Sequence, residues 1–223
     1  MKPIIFSGWC IPRLQDRTKT QTRRVVSARN GYWGWTNPKH HEYDWSRAWA
    51  DPGLGSGGYL HVPCRHKEDS WEDDPADDTA DRFRCRWRIG DLLWVKETLD
   101  GLMGCDATYC ADDERLVDSH PDKWDVWRDG RSLLCKTVPS IFMPRWASRI
   151  TLRVEDVRVQ RLWDISEAEA VSEGCIDGDN GWAIGSPMFA FIALWDSING
   201  KKAGCAWKDS PWVWALTFSV VDK

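Results

Sequence analysis

Hydrophobic and polar positions follow clear periods over most of this chain and none over one long stretch. "PIIFS" (3–7) is a short apolar run and predicts a buried strand. "CIPRLQDR" (10–17) predicts a short helix, with Pro12 tolerated in its first turn. "TQTRRVV" (20–26) alternates and ends on β-branched residues, which predicts a strand. Lys19 therefore falls at a helix-to-strand junction, where rigid elements hold a loop and its side chains.

Residues 27–87 break the pattern. They are rich in Gly, Trp, Asp, His and Pro. "DPGLGSGG" (51–58) is turn-forming, and "KEDSWEDDPADDTAD" (67–81) is an acidic, solvated run. The expectation is one domain over 1–223 with an insertion at about 27–87, carrying one hairpin near 58–64 and 82–87. Arg82, Arg84, Arg86 and Arg88 alternate, so they would share one strand face.

Periodicity returns after the Gly90-Asp91 turn. "LLWVKE" (92–97) and "ATYCAD" (107–112) predict strands, "DKWDVWRDG" (122–130) is mixed, and Pro144–Ser148 predicts a short turn or helix. A long strand follows, with Ile150, Leu152, Val154, Val157 and Val159 apolar and a bulge at Glu155-Asp156. "DISEAEAVSEGC" (164–175) predicts a helix, with Ser166 as N-cap, Glu169 completing a capping box and Gly174 as the stop. "SPMFAFIALWDSING" (186–200) predicts a second, with Phe189, Ile192 and Ala193 on its buried face. "PWVWALTFSVV" (211–221) closes the pattern as a strand. Helical crossovers between the middle strands are missing. The fold class is therefore α+β: a small mixed β pseudo-barrel with short flanking helices and a long inserted loop region, not a βαβ sheet.

Composition narrows the function. The chain has 223 residues, enough to bury a core without staples. Its net charge of −4 excludes a bulk polyanion binder, so any nucleic-acid role rests on a local patch. Seventeen tryptophans supply faces that fill cores or stack on bases. The eight cysteines form no CxxC pair. "MKPIIFSGWC" lacks a basic n-region and a long apolar core, and no apolar run approaches a membrane span. The expectation is a cytoplasmic protein with reduced thiols, no membrane, no metal and no cofactor. His61, Cys64, His66 and Cys85 are a candidate zinc set of unusual spacing, against free thiols as the simpler case.

The candidate chemistry is Lys19, Thr22 and Glu173. A hydroxyl, an amine and a carboxylate are sufficient parts for amide hydrolysis. Arg23 or Arg24 could hold an oxyanion or a phosphate. On spacing alone, a surface salt bridge beside a polar turn explains the same residues. Trp94 and Trp146 are candidates for base stacking or for core. Arg145 and Arg149 flank Trp146, which suits phosphate and base recognition or a buried carboxylate equally.

"GDLLWVKET", "PSIFMPRWASRITLRVEDVRVQRLWDISEAEAVSEG", "LWDSING" and "PWVWALTFSVV" resemble phage and prophage proteins of the ASCH domain group, in the PUA-like superfamily. "DRTKTQTRR" is similar to that group's "GRKTxTxR" segment. The resemblance covers roughly 1–26 and 88–223. It implies a PUA-like pseudo-barrel that binds RNA or nucleotides. Small bacterial members hydrolyse the acetyl amide of N4-acetylcytidine with a Lys and a Thr of "KTxT" and a Glu ending a helix. Those places match Lys19, Thr22 and Glu173, and the following Arg matches Arg24. The resemblance thus implies an amidohydrolase acting without metal on a modified pyrimidine nucleoside or nucleotide. Arg17, Arg23, Arg24, Trp94, Glu97, Arg145 and Trp146 would contact substrate, in a bacterial host cytoplasm. Two departures stand out: Thr18 replaces the Arg before the lysine, and the chain is about twice as long as the small members. A non-catalytic RNA or modified-base binding module, and a ribonuclease, remain as alternatives.

Overall fold

The computed structural model describes residues 1–27, 41–43, 45–46, 48–51, 59–66, 80–101, 107–116, 123, 137–175 and 185–221. In chain order the elements are β1 (Lys2–Ile5), α1 (Cys10–Gln15), β2 (Gln21–Val25), β3 (His41–Tyr43), β4 (Trp49–Asp51), β5 (Tyr59–His66), β6 (Ala80–Phe83) and β7 (Leu92–Lys96). There follow β8 (Leu99–Gly101), β9 (Ala107–Tyr109), β10 (Thr151–Arg161), α2 (Glu167–Ser172), α3 (Pro187–Asn199) and β11 (Trp212–Val221). Short 3-10 turns lie at Ser140–Phe142, Arg145–Ala147, Leu162–Asp164 and Trp207–Asp209. The described residues are thus a mixed α+β structure, mostly sheet with few helices, and their sheets do not close into a barrel.

The chain divides into two compact units made of separated segments. Unit one is Met1–Thr20, Asp91–Arg153 and Phe218–Lys223. Its strands run in the order β1-β7-β10. β1 lies parallel to β7, with Lys2 opposite Leu93, and β7 is antiparallel to the start of β10, with Leu93 opposite Leu152. The β8–β9 hairpin carries a core of Leu99, Tyr109, Leu116, Val138, Met143 and Ala147. Phe6 meets Phe218 edge-on at 5.9 Å.

Unit two is Gln21–Gly90 and Val154–Thr217. β2 pairs antiparallel with β11, with Thr22 opposite Leu216. Phe191, Trp195, Ile165, Leu162 and Val213 form the core between α2, α3 and these strands. The capping box on α2 is present: Ser166 Oγ accepts the Glu169 amide, and Glu169 accepts the Ser166 amide. Gly174 follows at φ +86°, a left-handed stop that favours glycine. Along β10 the buried positions shift phase between Val154 and Val157, as an extra residue at Glu155-Asp156 requires.

Several expectations are corrected. The insertion carries β3, β4, β5 and β6, not one hairpin; β5 and β6 do pair, with Leu60 opposite Phe83. β6 ends at Phe83, so Arg84, Arg86 and Arg88 lie outside the strand face holding Arg82. β9 stops at Tyr109 because the chain turns at Cys110–Asp112. On α3 the buried residues are Ala190, Phe191, Trp195 and Asn199, while Phe189 is 62% exposed. Nine consecutive apolar residues, 187–195, gave no unique face to choose. The expected features at 122–130 fall, Lys123 apart, outside the described residues.

Candidate functional site

Lys19 belongs to unit one and is 2% exposed. Its Nζ lies 5.8 Å from the Phe6 ring centre and 5.8 Å from that of Trp9. Arg13 shares the indole at 5.3 Å and donates from Nη1 to the Trp9 carbonyl at 3.0 Å. Two cations on one aromatic surface gain cation–π attraction that water does not supply. The loop itself is pinned: the Lys19 amide donates to the Arg13 carbonyl at 2.8 Å. Arg17, one turn past α1, is left-handed at φ 65°. A side chain there costs about 1–2 kcal/mol, a strain that surrounding structure must hold. Thr18 has a defined job. Its amide and hydroxyl both donate to Asp16 Oδ1, at 2.9 and 2.6 Å, closing the turn that delivers Lys19.

A second group in unit one centres on Glu97, whose side chain is 1% exposed. Arg149 donates to it from Nε at 3.1 and 3.3 Å and from Nη2 at 2.7 Å. The same guanidinium pairs with Asp112 at 2.8 Å and with Glu114, and lies 3.9 Å over the Tyr109 ring. Of the two roles open to the Arg145–Trp146–Arg149 segment, Arg149 thus holds a buried carboxylate. Burial pushes the Glu97 carboxyl up from its ordinary range, and Arg149 pulls it part of the way back. Burial works against the charge on Arg149, but the carboxylates of Glu97 and Asp112 outweigh it and hold the guanidinium above its ordinary value. Burial, then the Glu97 charge, holds the Tyr109 hydroxyl well above the usual phenol range, so it stays a donor to the Ala147 carbonyl at 2.6 Å.

Unit two holds Thr22, Arg23, Arg24 and Glu173. Thr22 and Glu173 are each 5% exposed. The Arg23 side chain is fully enclosed. Its Nη1 lies 3.2 Å from Glu173 Oε1, and its Nη2 lies 3.0 Å from Glu169 Oε2. Phe191 backs the guanidinium at 5.9 Å. Burial works to raise the Glu169 carboxyl. The Ser166 amide, then Arg158 and Arg23, outweigh it and hold Glu169 below the ordinary carboxylate range.

Of the remaining candidates, Arg24 is half-buried opposite Trp214. Trp94 is half-buried under the Lys96 ammonium at 5.2 Å. Arg145 and Arg17 are exposed, with Arg145 Nη2 2.6 Å from the Met1 sulfur. Trp146 packs on the core of unit one. Arg13, Trp9 and Glu169 were not expected at a site. Arg13 shares the buried side of α1 with Cys10 and Leu14, and Glu169 stands four residues before Glu173, so helical spacing was their available signal. The zinc set includes side chains outside the described residues. Among the described residues no three His, Cys, Asp or Glu side chains gather as a metal site. No helix among them is long and apolar enough to cross a membrane. Comparison with family models, with curated proteins and with solved structures finds no match to this chain.

Proposed function

We propose that this chain is an ASCH-type protein of PUA-like fold that hydrolyses an exocyclic amide on a modified pyrimidine nucleoside or nucleotide, of the N4-acetylcytidine kind. One observation carries the reading. Nine polar or charged side chains are buried among the described residues, and Lys19, Thr22, Arg23, Glu97 and Glu173 are five of them. Burying a charge costs several kcal/mol unless it is paired, so such groups concentrate where chemistry requires them. All five were singled out by sequence.

In this reaction the Thr22 hydroxyl attacks the acyl carbonyl, which the Lys19 ammonium polarises, and its proton passes to the Glu173 carboxylate. Glu173 delivers a proton to the departing exocyclic nitrogen, which leaves as the free amine. Water then releases the carboxylic acid from Thr22. Enclosure favours a small ligand over a polynucleotide, whose phosphates call for exposed cations.

The test is mass spectrometry of the protein incubated with N4-acetylcytidine, beside Lys19→Ala and Glu173→Ala. Cytidine from the wild type and none from either variant is the expected result. An inert wild type that binds RNA, with affinity falling steeply as salt rises, would replace this reading with the binding module.

A further inference from the structure

We infer that Arg23 is a positioning residue for Glu173, not a contact to substrate. The inference rests on the amidohydrolase reading above. Arg23 was expected to contact substrate, although it falls at an unspecified place of the "KTxTxR" segment. Its guanidinium has no exposed surface, and two carboxylates from successive turns of one helix take its ends. Glu169 is itself fixed. Its Oε2 accepts the Ser166 amide at 3.0 Å, and its Oε1 accepts from Arg158 at 2.7 Å. A chain of contacts therefore runs from the helix cap to Glu169, from Glu169 to Arg23, and from Arg23 Nη1 to Glu173 Oε1 at 3.2 Å. Glu173 lies at the helix end, where α2 gives way to the Gly174 turn. Arg23 is one constraint on the Glu173 carboxylate at that helix end.

The experiment uses the full chain with N4-acetylcytidine as probe, and the variants Arg23→Met, Arg23→Lys and Glu173→Gln. Misplacing a proton donor by about 1 Å costs ~10²-fold in rate. Arg23→Met is expected to lose about that much in kcat with KM nearly unchanged, and Arg23→Lys to regain part of it. A raised KM at unchanged kcat overturns the inference, because it marks a substrate contact. Thermal melting of Arg23→Met, Glu173→Gln and the double variant reads the pair without any turnover. A double loss smaller than the sum of the two single losses is expected. Additive losses overturn the pairing. A wild type that leaves the probe intact while the melts stay non-additive fails the amidohydrolase reading instead, and reduces the pair to a structural clasp.

Discussion

Replacing Arg149 by Met removes the partner of an enclosed carboxylate. Both side chains are nearly hidden, 10% and 1% exposed for Arg149 and Glu97, and three of the nitrogen–oxygen contacts between them lie within 3.3 Å. Breaking a buried pair from one side costs about 3–5 kcal/mol, because the remaining charge stays buried. Glu114, which is 55% exposed, adds at most about 1 kcal/mol. At about 2–4 °C per kcal/mol for a chain of this size, Tm should fall by roughly 6–20 °C at pH 7. The penalty has a pH signature. Burial already raises the Glu97 carboxyl above its free value of 4.5, so its ionisation costs stability as pH rises through and above that value. Without Arg149 the carboxyl rises further, so the variant's deficit grows upward from pH 4.5 and closes below it. Asp112 changes in the same direction, since Arg149 helps hold it below its ordinary range. Urea unfolding at pH 4, 5.5 and 7 measures this. A deficit under about 1 kcal/mol at pH 7, or one of equal size at all three, would refute the account. Glu97→Gln in the Arg149→Met background should recover much of the loss, because no buried charge is left.

Three further outcomes follow from local geometry. Ser166→Ala should cost about 1 kcal/mol, measured by thermal melting, through loss of the helix cap. Arg17→Gly should stabilise by about 0.5–1 kcal/mol, since relief of the left-handed strain exceeds glycine's greater freedom in the unfolded chain; a loss of stability would show that the Arg17 side chain supports the loop. Cys110 is exposed but burial and then Asp100 push its thiol up, so peptide-mapped alkylation should be slow at pH 7 and faster at pH 9, while Cys10, Cys85 and Cys175 label only after unfolding.

What the sequence made legible were elements whose evidence is local. The capping box of α2, the alternation of β10 with its phase shift, and Lys19 at a helix-to-strand junction each depend on neighbours within a few residues. The three-residue strands β3 and β4 carry too short a pattern to register. Phe189 was misplaced because α3 opens with an unbroken apolar run, and only packing chooses among its faces. At the site, residue types were readable but partnerships were not. Arg23 and Glu173 stand 150 positions apart, and Arg149 and Glu97 stand 52 apart, so only the folded chain pairs them.

The segmental make-up of unit one bears on how the protein is made. β1 waits for β7, and Phe6 waits for Phe218. Synthesis proceeds at about 5–20 residues per second, so the first strand leaves the ribosome many seconds before its partners exist. Meanwhile Ile4 and Phe6, both buried at the end, stay open to other chains. Pro3 sits in that strand and offers no N–H to a stray sheet edge, a safeguard during the wait. The same arrangement means that no single cut releases unit one intact, so a shortened chain that lacks 218–221 should accumulate as aggregate.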